Sequence, residues 1–263
     1  MKLSYRWLTE LVDLGDRTPE DVARLITFHV AEVEELETVG VFPGVVTARV
    51  VSVAQHPDAD RLSVCRLDLG SGERDEDVVC GAPNVAAGQV VAFAPVGTTL
   101  ETPEGPLTLE AREVRGVVSH GMICAEDELG LGDDHSGILV LPDDTPLGEP
   151  LGDALRLSDT IIDIGNTSIT HRPDLWGHVG FARELGALLR ADVTWPSTDA
   201  GEALVAEATG DPYPVTVDDG QDCRRYEGLV LENVENGASP LAIRWRLECL
   251  GVRSIDLLVD LTN

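Results

Sequence analysis

Apolar positions near the start of the chain follow a helical spacing. Trp7, Leu8, Leu11 and Val12 make one face behind Ser4, whose hydroxyl suits a helix cap, and Gly15 marks the expected end. A second helix is announced by Thr18 as N-cap, Pro19 at the first helical position and Asp21 placed to answer the cap's amide. Its inward side is Val22, Leu25 and Ile26. The next segment, AEVEELETV, alternates weakly and reads as a strand with Val33 inward.

From Val45 the period shortens to that of a sheet. GVVTARVVSV and LSVCRLDLG flank AQHPDADR, whose proline and aspartates favour a loop. Further strands are expected at 78–80, 89–95, 106–117 and 137–142, between Gly- and Pro-rich turns. So many short strands in succession predict a closed or partly closed barrel, because closure removes edges that would otherwise need protection. Beyond it, DTIIDI at 159–164 reads as a strand. THRPDLWGHVGFARELGALLRAD then sets Leu175, Val179, Ala182, Leu185 and Leu189 on one helical stripe that starts at Asp174 or the turn before it. Gly177 and Gly180 each cost roughly 1 kcal/mol of helix propensity, so close packing is expected at that end. WPST, GEA and TGDPYP mark a linker, 192–213, and the remaining segments PVTVDD, RRYEGLVLENV, SPLAIRWRLECLG and SIDLLVDLTN read as strand, strand, helix and strand. The order helical, barrel, helical predicts a barrel inserted into a small α and β domain.

Composition narrows the partners. A formal charge of -28 arises from 47 acidic against 19 basic residues, and Lys2 is the only lysine. Such a surface repels polyanions at long range, while a local arginine patch can still engage phosphate. It also fits a high-salt cell, in which the mutual repulsion of carboxylates is screened. Cys65, Cys80, Cys124, Cys223 and Cys249 include no CxxC pair and read as reduced thiols of a cytoplasmic protein. The start lacks a secretory apolar region, and no stretch reaches membrane-spanning length without charge.

HPDADRLSVC, CGAPNVAAGQVVAFAPVGTTL, REVRGVVSHGMICAEDELGL and DDHSGILVLP together resemble the OB-type tRNA-binding domain of bacterial phenylalanyl-tRNA synthetase beta subunits and of stand-alone or fused tRNA-binding proteins. MKLSYRWLTELVDL and ITHRPDLWGHVGFARELGALL resemble the two halves of the beta subunit's first domain. CRRYEGLVLENV with SPLAIRWRLECLGVRSIDLLVDLTN resembles the opening of its editing domain. One departure is the turn Thr170-His171-Arg172-Pro173-Asp174, where the family more often has a TPNR-like sequence. The resemblance implies an α+β fold with an inserted all-β OB-type barrel, followed by an incomplete α/β editing-domain segment. The implied domains are 1–38 with 152–191, the barrel 39–151, the linker 192–213, and the start of an editing domain at 214–263. It further implies a part of phenylalanine-tRNA ligase that shapes the complex and places tRNA(Phe), inactive alone. ATP and Mg2+ would be used by a separate alpha subunit, and none would be bound by this chain. The whole enzyme would be a cytoplasmic heterotetramer of two alpha and two beta subunits, with no membrane association. The alternative is a stand-alone tRNA-binding or assembly protein.

Candidate tRNA contacts are Arg49, His56, Arg61 and Arg66 around the HPDADR loop, because a planar guanidinium makes two directed bonds to phosphate. The structural reading of the same loop has His56 and Asp58 stabilising it and Arg61 paired with Asp60 or other acidic residues. Arg112 and Arg115, near Ser119, His120 and Gly121, form a second patch; their odd separation puts them on opposite faces unless the chain bends. With aromatics at 4% and only Phe42 and Phe93 in the barrel, base stacking has little support. Ser119 beside His120 lacks a placed acid, so no catalytic residue is assigned. His120, Cys124 and His135, even with Asp133 and Asp134, match no compact zinc spacing, so no metal site is assigned. Gly121, Gly130, Gly132 and Gly137 read as turns, not as a phosphate cradle. By resemblance, His171, Arg172, Asp174, Trp176, Arg183 and Glu184 are candidates for inter-domain or subunit packing, with an ionic network inside the subunit as the alternative. Thr262 and Asn263 fall where the family's editing pocket begins. They form part of one wall only, so hydrolysis of mischarged tRNA by this chain alone is not expected.

Overall fold

A computed structural model describes residues 1–70, 76–102, 105–132, 135–195, 197, 199–209, 214–218, 222–224, 226 and 228–263. In chain order the elements are β1 (Lys2–Ser4), α1 (Tyr5–Leu11), α2 (Pro19–His29), β2 (Val33–Val39), β3 (Val46–Gln55), β4 (Ser63–Asp68), β5 (Glu76–Cys80) and β6 (Val90–Pro95). There follow β7 (Thr99–Thr102), β8 (Gly105–Thr108), β9 (Arg112–Val114), β10 (Val117–Ser119), β11 (Gly121–Ile123), β12 (Val140–Leu141), α3 (Leu151–Ala154) and β13 (Asp159–Ile164). Then come α4 (His178–Leu189), α5 (Asp199–Glu207), α6 (Leu241–Cys249) and α7 (Leu257–Asp260). The chain divides into two compact units, Met1–Leu36 with Ile161–Asn263, and Glu37–Thr160.

In the first unit the expected caps are in place. Ser4 Oγ accepts the Trp7 N–H at 2.9 Å. Thr18 Oγ1 accepts the Asp21 N–H at 3.3 Å, and Asp21 Oδ2 accepts the Thr18 N–H at 3.3 Å. This reciprocal cap satisfies two amides that the helix itself leaves without partners. Thr18→Ala is therefore expected to lower the free energy of unfolding by about 1 kcal/mol, read from a urea titration. Helix α1 stops at Val12, before Gly15, because Val12 turns extended and bridges to Val193. A three-stranded sheet in the order β1-β13-β2 pairs Leu3 with Ile162. The terminal ammonium of Met1 donates to Asp163 Oδ1 at 3.1 Å and to the Ile164 carbonyl at 2.7 Å. Leu3, Leu8, Ile26, Ile162, Phe181 and Leu185 are buried in one core, so residues from both ends of the barrel insertion pack together.

The re-entering helix departs from the expected start. Pro173–Leu175 forms a separate 3-10 turn, and α4 begins at His178 after Gly177. The two glycines also differ. A Cβ at Gly180 would stand 1.8 Å from the Asp174 carbonyl oxygen, whereas one at Gly177 would meet nothing within 4 Å, so close packing explains only Gly180. The expected linker contains helix α5, whose DAGEALVAE sequence is made largely of good helix formers. Among the described residues of 214–234 there is no strand, in contrast to the two expected there; 219–221, 225 and 227 lie outside the described residues. SPLAIRWRLECLG carries α6 as expected. SIDLLVDLTN, expected to be a strand, instead forms α7, because Asp256 caps it by accepting the Val259 N–H at 3.0 Å.

The second unit is a near-closed antiparallel barrel with strand order β11-β6-β3-β4-β5 and β12 added to β6. β3 is long enough to pair with both β4 and β6, and its register shifts between Val50 and Ser52. The ends of the sheet approach closure through the His120 N–H, which donates to the Asp77 carbonyl at 3.0 Å, and the Val79 N–H, which donates to Ser119 Oγ at 3.0 Å. Ala48, Val50, Leu67, Val78 and Phe93 fill the interior. The single strand expected over 106–117 is broken into β8, β9 and the start of β10. The break before β10 is a two-residue turn at Arg115 and Gly116, with φ of 46° and 86°. Two left-handed residues in succession match the twist of the flanking strands. The strand expected over 137–142 shrinks to β12.

Candidate nucleic-acid interface

The loop between β3 and β4 is held by its own histidine. His56 is 2% exposed, which leaves it no surface for RNA. Its Nδ1 accepts the Asp58 N–H at 3.1 Å, so Nε2 carries the proton and donates to the Val114 carbonyl at 3.0 Å. Arg115 completes the clamp, donating from Nη1 to the Asp58 carbonyl at 3.1 Å. The HPDADR loop and the β9–β10 hairpin thereby form one ridge.

That ridge sorts the candidate arginines. Arg49 is half-buried and spends its guanidinium on the Gly88 carbonyl at 2.8 Å and the Asp143 carbonyl at 3.0 Å. Arg115 is likewise engaged in the clamp. Arg61 and Arg112 are exposed on the ridge, and Arg66 is exposed on β4 opposite Asp77. The turn at Arg115 supplies the bend that two odd-spaced arginines require, but it turns Arg115 back onto the loop and leaves Arg112 on the strand. Phe93 is wholly buried and Phe42 partly so, which removes Phe93 as a stacking platform.

The other sequence candidates resolve as follows. Ser119 is buried; its hydroxyl donates to the Gly121 carbonyl at 3.0 Å besides accepting from Val79, so it is a strut of the barrel. Cys124 is wholly buried, and burial followed by the nearby Glu128 carboxylate pushes its thiol up to about 12. His135 pairs with Asp127 at 2.8 Å. Among the described residues no group of three His, Cys, Asp or Glu side chains is placed to hold a metal; Asp133 and Asp134 lie outside them. Gly121 has φ of 145°, and a Cβ there would stand 2.4 Å from the Ala94 carbonyl oxygen.

The turn before α4 is an ionic cluster. Arg172 donates Nε to Asp174 Oδ1 at 2.9 Å and Nη2 to Asp174 Oδ2 at 2.8 Å, and Nη2 also bonds Glu184. These bonds hold the Asp174 carboxyl below its ordinary range. Arg183 and Glu184 point to different partners: Glu184 to Arg172, while the charge of Arg183 acts on Asp174. His171 and Trp176 are exposed. At the end of the chain, Thr262 Oγ1 donates to the Val259 carbonyl at 2.7 Å, and Thr262 and Asn263 are exposed.

One cluster escaped sequence reasoning. The ring of His178 stacks on Trp7 with centroids 4.3 Å apart, and the Arg246 guanidinium lies 5.0 Å from the Trp7 ring centroid. Arg246 also pairs with Glu10. The Ser4 N–H donates to His178 Nε2 at 2.9 Å. Burial, then the Arg246 charge, lowers His178 to about 4. Three stretches distant in sequence meet here, β1 with α1, α4 and α6, and no short spacing announces them.

Residues 45–150 match the family model described as "Putative tRNA binding domain". Over its whole length the chain is 43% identical to the phenylalanine–tRNA ligase beta subunit of Salinibacter ruber and covers 32% of that protein. It is 43% identical to the beta subunit of Anaeromyxobacter dehalogenans and 39% identical to that of Syntrophus aciditrophicus, again over 100% of this chain and 32% of each relative. The chain thus matches the amino-terminal 32% or so of bacterial beta subunits and spans about a third of the length of these curated relatives. No helix among the described residues is long and apolar enough to cross a membrane.

Proposed function

We propose that this chain, matching the amino-terminal part of bacterial phenylalanine–tRNA ligase beta subunits, contributes architecture to such a ligase and offers its OB-type barrel to tRNA. The observation that carries the reading is the match of residues 45–150 to a tRNA-binding family model, set between flanks that also match beta subunits. Residues 1–38 with 152–191 act as one discontinuous domain, 39–151 as the inserted OB-type barrel, 192–213 as a connection and 214–263 as the start of an editing domain. Thr262 and Asn263 form part of one wall of the editing pocket. The aminoacylation chemistry, with ATP and Mg2+, belongs to an alpha subunit partnered in a heterotetramer of two alpha and two beta chains, in the cytoplasm.

Arg61, Arg66 and Arg112 are the phosphate contacts of this reading, because they are exposed on or beside the ridge while Arg49, His56 and Arg115 support it. His171, Arg172, Asp174, Trp176, Arg183 and Glu184 shape the packing surface of the discontinuous domain. Against a charge of -28, phosphate binding here is local and sensitive to salt. Fluorescence anisotropy of labelled tRNA(Phe) across a salt series is expected to show affinity falling as salt rises. Replacing Arg61 and Arg112 together by alanine should flatten the log–log slope by roughly 2, about one unit per arginine. Arg49→Ala should leave the slope alone and lower thermal stability. An unchanged slope in the double variant would remove the ridge from the tRNA interface.

A further inference from the structure

On the barrel, a cavity of about 350 Å³ opens between the end of β5, the 81–83 loop, β11, the turn at Asp127–Leu129 and residues 135–138. Pro83, Met122 and Ile138 give it apolar walls, and Glu128, His135 and Ser136 its polar side. His135 is taken up by Asp127 at 2.8 Å. Glu128 is half-buried, and its Oε2 accepts the Ala125 N–H at 2.7 Å. Its Oε1 accepts no hydrogen bond among the described residues, and since no fully buried side-chain oxygen there lacks a partner, this atom is accessible. A half-enclosed carboxylate oxygen without a donor is a place for a ligand that brings one.

The cavity adjoins the arginine ridge. Cys80 at its wall lies opposite Ser63 in register, and a Cβ on Gly81 would stand 3.5 Å from Leu62 Cδ2. Leu62 directly follows the exposed Arg61. A strand of RNA with a phosphate on Arg61 therefore passes beside the cavity.

We propose that this cavity is a subsite for a guanine base, read by the Glu128 carboxylate, an inference that rests on the tRNA-binding reading of the barrel. Its volume lies near the lower end for small-molecule sites, about 300 Å³, and so suits a single ring system. Unpaired bases of RNA are read on their Watson–Crick edges, with their faces against side chains. Guanine presents two adjacent donors on that edge, N1–H and the N2 amino group. Adenine and cytosine set an acceptor beside their amino group, and uracil flanks its one N–H with two carbonyls, so each turns an acceptor toward the carboxylate. The thioether of Met122 is a polarisable neighbour for a ring face. A guanidinium also offers paired donors, but the exposed Arg61 beside the cavity favours a ligand that carries phosphate over a cationic peptide.

The test uses the full chain and fluorescein-labelled single-stranded hexanucleotides, UUGUUU and its counterparts with adenine, cytosine, uracil or inosine at the third position, followed by fluorescence anisotropy at one low salt concentration. The guanine oligomer is expected to bind about tenfold more tightly than those with adenine, cytosine or uracil, and inosine, which lacks only the amino group, should fall between. Glu128→Gln keeps an oxygen for the Ala125 N–H and turns an amide NH2 toward the ligand, so it should fold and lose the guanine preference. In a second arm, guanosine, adenosine and ethylguanidinium are each titrated while the Met122 methyl resonance is followed by NMR, and guanosine alone should shift it. Equal affinity for all oligomers, or a guanine preference that survives in a folded Glu128→Gln, would overturn the subsite and leave the ridge as a phosphate contact. If no oligomer binds, the ridge reading fails, and the subsite then stands only if guanosine shifts the methyl. A shift by ethylguanidinium and not by guanosine would overturn it in favour of an arginine side chain.

Discussion

Gly40→Ala is expected to lower the free energy of unfolding by about 3 kcal/mol, through a steric conflict with backbone that cannot move aside. Gly40 lies just after β2, where the chain runs toward the barrel, and has φ of 70°. A Cβ there would stand 2.1 Å from the Leu157 carbonyl oxygen, 2.4 Å from its carbon and 2.8 Å from the Ser158 nitrogen. No rotamer relieves contacts made by Cβ itself. The segment leaving the barrel is pinned to the same place: Ser158 Oγ donates to the Gly40 carbonyl at 3.2 Å, and the Leu157 N–H donates to the Gly152 carbonyl at 2.7 Å. Gly152 meets Gly40 from the other side, where a Cβ would be 2.2 Å from the Gly40 oxygen. Gly88→Ala separates strain from collision, because Gly88 has φ of 93° but nothing within 4 Å of a Cβ. It should therefore cost only about 1 kcal/mol, the penalty of the left-handed backbone. Equal losses for the two variants in parallel urea titrations would show that the backbones do not meet as closely as described.

What was legible in the sequence was what depends on near neighbours. The cap at Ser4, the capping box at Thr18 and Asp21, and the short apolar runs of β3, β4 and β6 between turns are decided within a few residues, and the structure follows them. Val12 illustrates the limit: Gly15 looked like the natural stop, yet α1 ends earlier because Val12 bridges to Val193. SIDLLVDLTN has the apolar content of a strand, but the Asp256 cap and the carboxylate of Asp260 decide otherwise. Asp260 accepts from the Ser239 and Ser254 hydroxyls and the Ile255 N–H, and against the opposing effect of burial these donors hold its carboxyl below the ordinary range. Among the candidate contacts, residue type could nominate Arg49 and His56 but could not reveal that their acceptors are the carbonyls of Gly88, Asp143 and Val114. Cys65 and Cys80 likewise come to the same face of neighbouring strands through register, which neither cysteine encodes alone.

Acidification from about pH 6.5 to about pH 4 is expected to remove about 2 to 3 kcal/mol of stability through His178 alone. Its folded value lies near 4, below the ordinary 6.5, because it is buried and faces the Arg246 guanidinium. Between these two values the unfolded chain binds a proton that the folded chain refuses. Stability from this group is therefore complete above the ordinary histidine value and is lost as the pH falls toward the folded one. The physical conflict is specific, because Nε2 accepts the Ser4 N–H at 2.9 Å, and a proton there would set donor against donor at the start of α1. Glu10 moderates the arginine by pairing with it but does not contact the imidazole in the described geometry. Many carboxylates titrate in the same range, so the measurement is a difference. His178→Phe keeps a ring against Trp7 but loses the acceptor, and should be about 1 kcal/mol less stable at pH 7 with a shallower decline below pH 6.5. Arg246→Ala removes the nearby charge and should raise the histidine's titration toward its ordinary value, which NMR of the ring can follow directly. Parallel stability profiles for the unaltered chain and His178→Phe, or a ring that titrates near 6.5 in the folded protein, would show that this histidine is not the acid-sensitive point of the first unit.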